Sequence, residues 1–257
     1  MKSVRIAGRW CGIGSVLFFI AVSGMVMTAV AQPADQVVVM ASLPAGVDSP
    51  VDSRAGELHL MRLEPGTDLS LLIGRPRVIG YDYYYYRDPV SGEKRLGGFV
   101  EVCVVVDTGL EHLLATSLDF DSYSSFLPRI LYSKVEWSGA GRYHVTYHSG
   151  IRILGVEVSY KGIEESILNH FPDGSVGINS RLLKSEEGEL YEHYTSIYYR
   201  PVVVDGRPMT FVRYFNRPGV RNPTPGMLTL LDIFGPLEGR AQLQAIVGEA
   251  RKRAGGK

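Results

Sequence analysis

The sequence predicts an α+β fold: an antiparallel sheet followed by one long C-terminal helix. Three observations carry that expectation. Runs rich in β-branched and aromatic residues succeed one another with turn clusters between them. Asp205-Gly206 separates two such runs, a strong short hairpin signal. Met227, Leu230, Leu231, Phe234, Leu237, Leu243, Ile246, Val247 and Ala250 then form an apolar stripe, followed by Arg251, Lys252 and Arg253, which suit a helix C-terminus. Hairpins in series and then a helix indicate antiparallel α+β architecture rather than a parallel sheet.

The chain divides into three parts. Lys2, Arg5 and Arg9 precede a stretch without charge, Ile13 to Val30, that ends in Ala29-Val30-Ala31. A basic start, an apolar body and small residues at the end predict an export signal over residues 1–31, with a retained membrane anchor as the competing reading. Residues 32–76 form an N-terminal extension interrupted by Pro33, Pro44, Pro50, Pro65 and Pro76, with candidate strands at Val37–Met40 and Leu58–Leu63. It is expected to be mobile or laid over the domain of residues 77–257.

Within that domain Val78–Arg87, rich in Tyr and Val, pairs with Phe99–Val106 across the turn cluster Asp88–Glu93. The tyrosines read as strand residues alternating between core and solvent. Thr108 and Glu111 have capping-box spacing, ahead of Leu110, Leu113, Leu114 and Leu118 at helical spacing. Asp119 to Leu127 suggests a second short helix, capped by Asp119 or Asp121 and stopped by Pro128. Six strands follow: Ser133–Ser138, Tyr143–Leu154 with a break or bend at Ser149-Gly150, Val156–Leu168, Ser175–Lys184, Tyr191–Val204 and Met209–Phe215. Pro218, Pro223 and Pro225 make a loop, Thr224 can cap the last helix, and Gly235-Pro236 is expected to kink or interrupt it.

Composition narrows the function. Residues 1–31 hold three basic and no acidic residues, so the chain from Gln32 carries 24 basic against 27 acidic residues, a net charge of −3. That argues against a nucleic-acid partner. Beyond residue 31 only Cys103 is a cysteine, flanked by valines; it reads as a buried thiol and cannot form an internal disulfide. There is no Gly-rich phosphate loop, no Gly-x-Ser-x-Gly elbow and no His-Glu-x-x-His. The histidines, His59, His112, His144, His148, His170 and His193, are scattered, which predicts surface or hydrogen-bonded roles. No cofactor and no metal site is expected.

The order strand, two short helices, six strands and a long helix is the helix-grip arrangement. The chain resembles the START-like superfamily, also called SRPBCC, which includes lipid-transfer START domains and polyketide cyclases. The resemblance is carried by Val100–Val106, Leu113-Leu114, Leu118-Asp119-Phe120-Asp121-Ser122-Tyr123, Phe126-Leu127-Pro128-Arg129-Ile130, Ser133-Lys134-Val135 and the closing stretch Leu228–Arg253. It spans about Gly98 to Arg253 and departs in the export signal and in the added residues 32–96. It implies a curved antiparallel sheet wrapped around the C-terminal helix, with a cavity between them that takes an apolar ligand.

Alternation supplies candidate lining residues. On the first strand the face of Val100, Val102, Val104 and Val106 is taken as inward, opposite Glu101 and Cys103. Ile151 and Ile153, Tyr194 and Tyr198, and Phe211 and Arg213 are candidates from later strands, with Met227, Leu230, Leu231 and Phe234 from the helix. A register error of one residue reverses any strand assignment. An inward Arg152, Arg181 or Arg213 would bind a carboxylate or phosphate head.

The expected function is an exported, periplasmic or secreted bacterial binder or carrier of a lipid or other hydrophobic small molecule, touching membranes only transiently. Two other readings stay open. A cyclase or lyase would need two or more convergent polar groups at the cavity floor. A protein-interaction module would show a filled interior with Tyr83 and Tyr85 exposed.

Overall fold

The Tyr-rich and Val-rich runs pair as their patterns predict. In the computed structural model β1 (Arg77–Arg87) and β2 (Lys94–Val106) form an antiparallel hairpin with Arg87 opposite Lys94. Asp88 fixes the turn, its Oδ1 accepting the backbone N–H groups of Val90 at 3.1 Å and Ser91 at 2.7 Å. The structure describes residues 66–153, 156–186 and 188–255, and the side chains of residues 151–158 lie outside the description. The export segment, the strands at Val37–Met40 and Leu58–Leu63, and the side chains of Ile151, Arg152 and Ile153 therefore fall outside it. All described residues belong to the unit Val38–Lys257.

After β2 come α1 (Leu110–Leu118), a 3-10 turn at Phe120–Ser122 and α2 (Tyr123–Phe126). The capping box does not form. Gly109 is the N-cap of α1, so Thr108 lies one residue too early and its carbonyl instead accepts the Thr210 hydroxyl at 2.9 Å. The aspartates do not cap by side chain either. Asp121 Oδ1 accepts the Val135 N–H at 2.7 Å, and Asp119 pairs with Arg253 at 2.9 Å. Both tie the helical segment to its surroundings instead of ending a helix.

Six further strands follow: β3 (Ile130–Gly139), β4 (Arg142–Ile153), β5 (Val156–His170), β6 (Val176–Ser185), β7 (Leu190–Val204) and β8 (Arg207–Arg221). They join β1 and β2 in one antiparallel sheet, ordered β1-β2-β8-β7-β6-β5-β4-β3. Asp205 and Gly206 take positive φ at the β7–β8 turn, the backbone that a type I′ hairpin needs. No break occurs at Ser149-Gly150, where pairing with β5 continues through Ser149↔Tyr160 and Gly150↔Ser159. β8 runs past Phe215 and through Pro218. There the β2–β8 ladder skips from Asn216 to Val220, so the missing proline N–H breaks no bond in it.

The chain ends in α3 (Met227–Gly255). It is one helix with Pro236 inside it, so the expected interruption does not occur. Contacts on both sides of the proline hold it. Gly235 lies against Tyr83, and Gly239 against Val100 and Val102. The Leu228 N–H in the first turn donates to Tyr85 Oη at 3.2 Å, the partner that an orphan N-terminal amide requires. Strand alternation thus separates neighbours in the tyrosine run: Tyr83 and Tyr85 serve the helix, while Tyr84 between them is exposed.

Both faces of the sheet are covered. Val100, Val102, Val104 and Val106 face inward, as alternation predicts, and pack with Leu113, Phe120, Leu243, Ile246 and Val247. On the opposite face Cys103, Val105, Tyr198, Met209 and Phe211 pack beneath Leu72, from a 3-10 turn at Leu69–Leu72. The described end of the N-terminal extension is therefore laid over the domain. Among the described residues no helix is long and apolar enough to cross a membrane.

Candidate functional site

Between the concave face and the first half of α3 lies a cavity of about 330 Å³. Ligand pockets for small molecules run from roughly 300 to 1,000 Å³. It forms because α3 packs mainly on β1 and β2 and stands away from the strands beyond β8. Two glycines one turn apart set the contact. A Cβ at Gly235 would meet Tyr83 at 2.5 Å, and one at Gly239 would meet Val102 at 3.0 Å. Two more side chains fasten the helix to the loop before β3: Gln242 Nε2 donates to the Pro128 carbonyl at 2.8 Å, and Glu238 pairs with Arg129 at 2.9 Å.

The walls are largely apolar. Met227, Leu230, Leu231 and Phe234 of α3 line one side, as the helical stripe predicts. Tyr83 and Val100 line the second, and Tyr147, Tyr160, Leu182, Leu190, Tyr214 and Val220 the sheet. A smaller pocket of about 100 Å³ adjoins the cavity and reaches Phe120, Tyr123, Leu127 and Ile130.

A polar cluster lines both spaces. Glu164 on β5 accepts the N–H of His193 Nδ1 on β7 at 2.6 Å, reaching across β6. Asn216 Nδ2 on β8 lies 2.8 Å from His193 Nε2 and 3.3 Å from Thr195 Oγ1. Burial alone would lower the His193 pKa, but the Glu164 carboxylate, acting by charge and by hydrogen bond, holds it above the ordinary value. The hydroxyls of Tyr147 and Tyr214 are pushed well above the tyrosine range by burial, so they stay protonated and able to donate. Histidine, carboxylate and neutral phenols converging in one cavity can bind a ligand's polar atom or move a proton.

The remaining predicted site residues lie elsewhere. Val102 and Val104 are on the concave face but in the solid core beneath α3, not on the cavity wall. Tyr194, Tyr198, Phe211 and Arg213 point to the opposite face. There Arg213 is fully buried and paired with Glu101, and Tyr194 donates to Asn179 Oδ1 at 3.1 Å. The physical reason is the cover on the convex side. Strands apolar on both faces do not reveal which face is inward. Their neighbours His193, Thr195, Tyr214 and Asn216 are the inward ones. Arg181 pairs with Glu165 on the same outer face, so neither Arg181 nor Arg213 offers a cation to the cavity.

Glu164, His193 and Asn216 were missed as a group because 52 residues of sequence separate the first from the last. One signal was available: by alternation Glu164 shares a strand face with Tyr160, Gly162 and Leu168, and a Glu on that face has either solvent or a buried partner. Among the described residues no group of three or more His, Cys, Asp or Glu is placed to hold a metal ion.

No protein-family model and no curated protein sequence matches the chain. Solved structures do. A STAR-related lipid transfer protein from Xanthomonas axonopodis is 13% identical, with 67% of this chain and 94% of that chain covered and a TM-score of 0.47. The Zhui aromatase/cyclase from Streptomyces sp. R1128 is 18% identical over 63% of this chain and 99% of its own, with a TM-score of 0.44. Human StAR-related lipid transfer protein 5 is 8% identical over 70% and 88%, with a TM-score of 0.46. The helix-grip architecture itself stands on this chain's strand order and terminal helix.

Proposed function

We propose that the protein is an exported binder or carrier of a lipid or other hydrophobic small molecule held between the sheet and α3. The observation that carries this reading is the cavity of about 330 Å³, walled by Met227, Leu230, Leu231 and Phe234 on one side and by the concave face on the other. Moving apolar ligand surface from water into such a space is worth about 25 cal/mol per Å². Export rests on the basic start, apolar body and small-residue end of residues 1–31. The test is native mass spectrometry and solvent extraction of purified protein, with thermal shifts on adding sterols, quinones, aliphatic alcohols and fatty acids. Co-purifying ligand or a rise in Tm supports the reading; protein recovered empty and unshifted by every class overturns it.

A second reading is favoured by one observation. Glu164, His193 and Asn216 meet the requirement of convergent polar groups in the cavity, beside tyrosines that remain donors. On that reading the cavity hosts acid–base chemistry of the cyclase or lyase type, with Glu164 and His193 exchanging the proton. Turnover of a bound ketone, abolished by Glu164→Gln and His193→Gln while binding persists, is its test. The interaction-module reading has no such support, because Tyr83 is buried and the interior is hollow.

A further inference from the structure

Apart from the titratable His193, the cavity lining carries charge of one sign only. Among the described residues its lining contains no lysine and no arginine, but two carboxylates, Glu164 and Glu238. Glu238 is held by Arg129, which stands outside the lining. Glu164 is held by His193, whose charge, when protonated, serves to balance the carboxylate. An anionic head group entering this space would meet carboxylates with no cation left to compensate it, between apolar walls that screen the repulsion less than bulk water does.

The same cluster has something to offer a neutral head. Glu164 has two acceptor oxygens, and His193 engages one of them, Oε1. A carboxylate oxygen only accepts, so it needs a donor from the ligand. The Tyr147 and Tyr214 hydroxyls line the same space and remain donors. A ligand hydroxyl, which both donates and accepts, suits both kinds of neighbour; a carboxylate or phosphate suits only the tyrosines, and an ether only accepts.

We propose that the cavity selects a neutral, hydroxyl-bearing apolar ligand over an anionic lipid, with Glu164 accepting the ligand's O–H. This rests on the reading of the cavity as a binding site for hydrophobic molecules, and it names the class of molecule.

The test uses the intact chain and chain-matched probes. Displacement of the neutral dye Nile red is measured at pH 8 for tridecan-1-ol, 1-methoxydodecane and dodecanoate, in wild type and in Glu164→Gln. A hydrogen bond to a charged acceptor predicts that the alcohol competes about tenfold better than the ether. Dodecanoate is expected to compete least well. Glu164→Gln should bring the alcohol to within about threefold of the ether and improve dodecanoate, since it keeps the size and removes the charge. An ether or carboxylate that competes as well as the alcohol in wild type overturns the proposal without needing the variant. An unchanged alcohol preference in Glu164→Gln overturns it too. Failure of the dye and all three probes to bind would overturn the binding reading itself, and this inference with it.

Discussion

Gly239 of α3 lies against Val102 of β2 so closely that a Cβ would stand 3.0 Å from the valine Cγ2. That contact is where the helix closes on the sheet, and Gly239 and Val100 stand at the edge of the cavity beside it. A larger residue at this position must lever α3 off β2. Gly239→Leu is expected to cost about 1–3 kcal/mol by overpacking, although leucine is the better helix former. Gly248, in the same helix, is exposed with nothing within 4 Å of its would-be Cβ. Gly248→Ala should add about 0.5–1 kcal/mol. Thermal denaturation of the two variants checks both signs.

The Glu164–His193 pair predicts a pH-dependent contribution to stability. Facing His193 are Glu164 from β5, Asn216 and Tyr214 from β8, Tyr147 from β4, and Glu192 beside it on β7. Its pKa is raised in the folded chain, so the stabilisation is fully present below the unfolded value of about 6.5 and is lost as pH rises through the raised value. The Tm gap between wild type and Glu164→Gln should be widest near pH 6 and narrow above that raised value. Protonated His193 has no lone pair on Nε2, so the Asn216 amide must then turn its oxygen toward the ring. A gap that is flat from about pH 6 to 9 contradicts this account.

Arg213 and Glu101 form a fully buried ion pair on the convex face. Removing one partner leaves a buried charge, so Arg213→Met alone is expected to cost about 3–5 kcal/mol. Combining it with Glu101→Leu should recover much of that loss, because replacing both ions with apolar side chains leaves no uncompensated charge. Urea denaturation of the two single variants and the double variant measures the coupling.

Cys103 is fully buried beside that pair, and burial raises its thiol well above the ordinary range. In a Cys11→Ser background the native protein should leave its thiol unreacted with a water-soluble disulfide reagent, and guanidinium should release one equivalent.

Much of the fold was legible in the sequence, and the reasons are local. The inward valines of β2 alternate strictly with Glu101 and Cys103, and Asp205-Gly206 supplies the positive φ its hairpin needs. The helix residues of the site were legible for the same reason: Met227, Leu230, Leu231 and Phe234 share one face at helical spacing. The sheet residues of the site were not. Leu72 and its neighbours cover the convex side, so β7 and β8 are apolar on both faces and alternation cannot choose between Tyr198 and Tyr199, or between Phe211 and Val212. The polar cluster depends on strand order, because Glu164 meets His193 only across β6, a relationship that no spacing in the chain encodes.

The central claim is that the space between sheet and helix holds a ligand. Its most direct test is ligand occupancy, by native mass spectrometry and Nile red binding, in wild type and in Leu231→Trp, where the indole fills the space. The account predicts that wild type binds one ligand or dye and that Leu231→Trp loses binding while keeping its Tm. Wild-type protein that stays empty, or a tryptophan variant that binds as well as wild type, would contradict it.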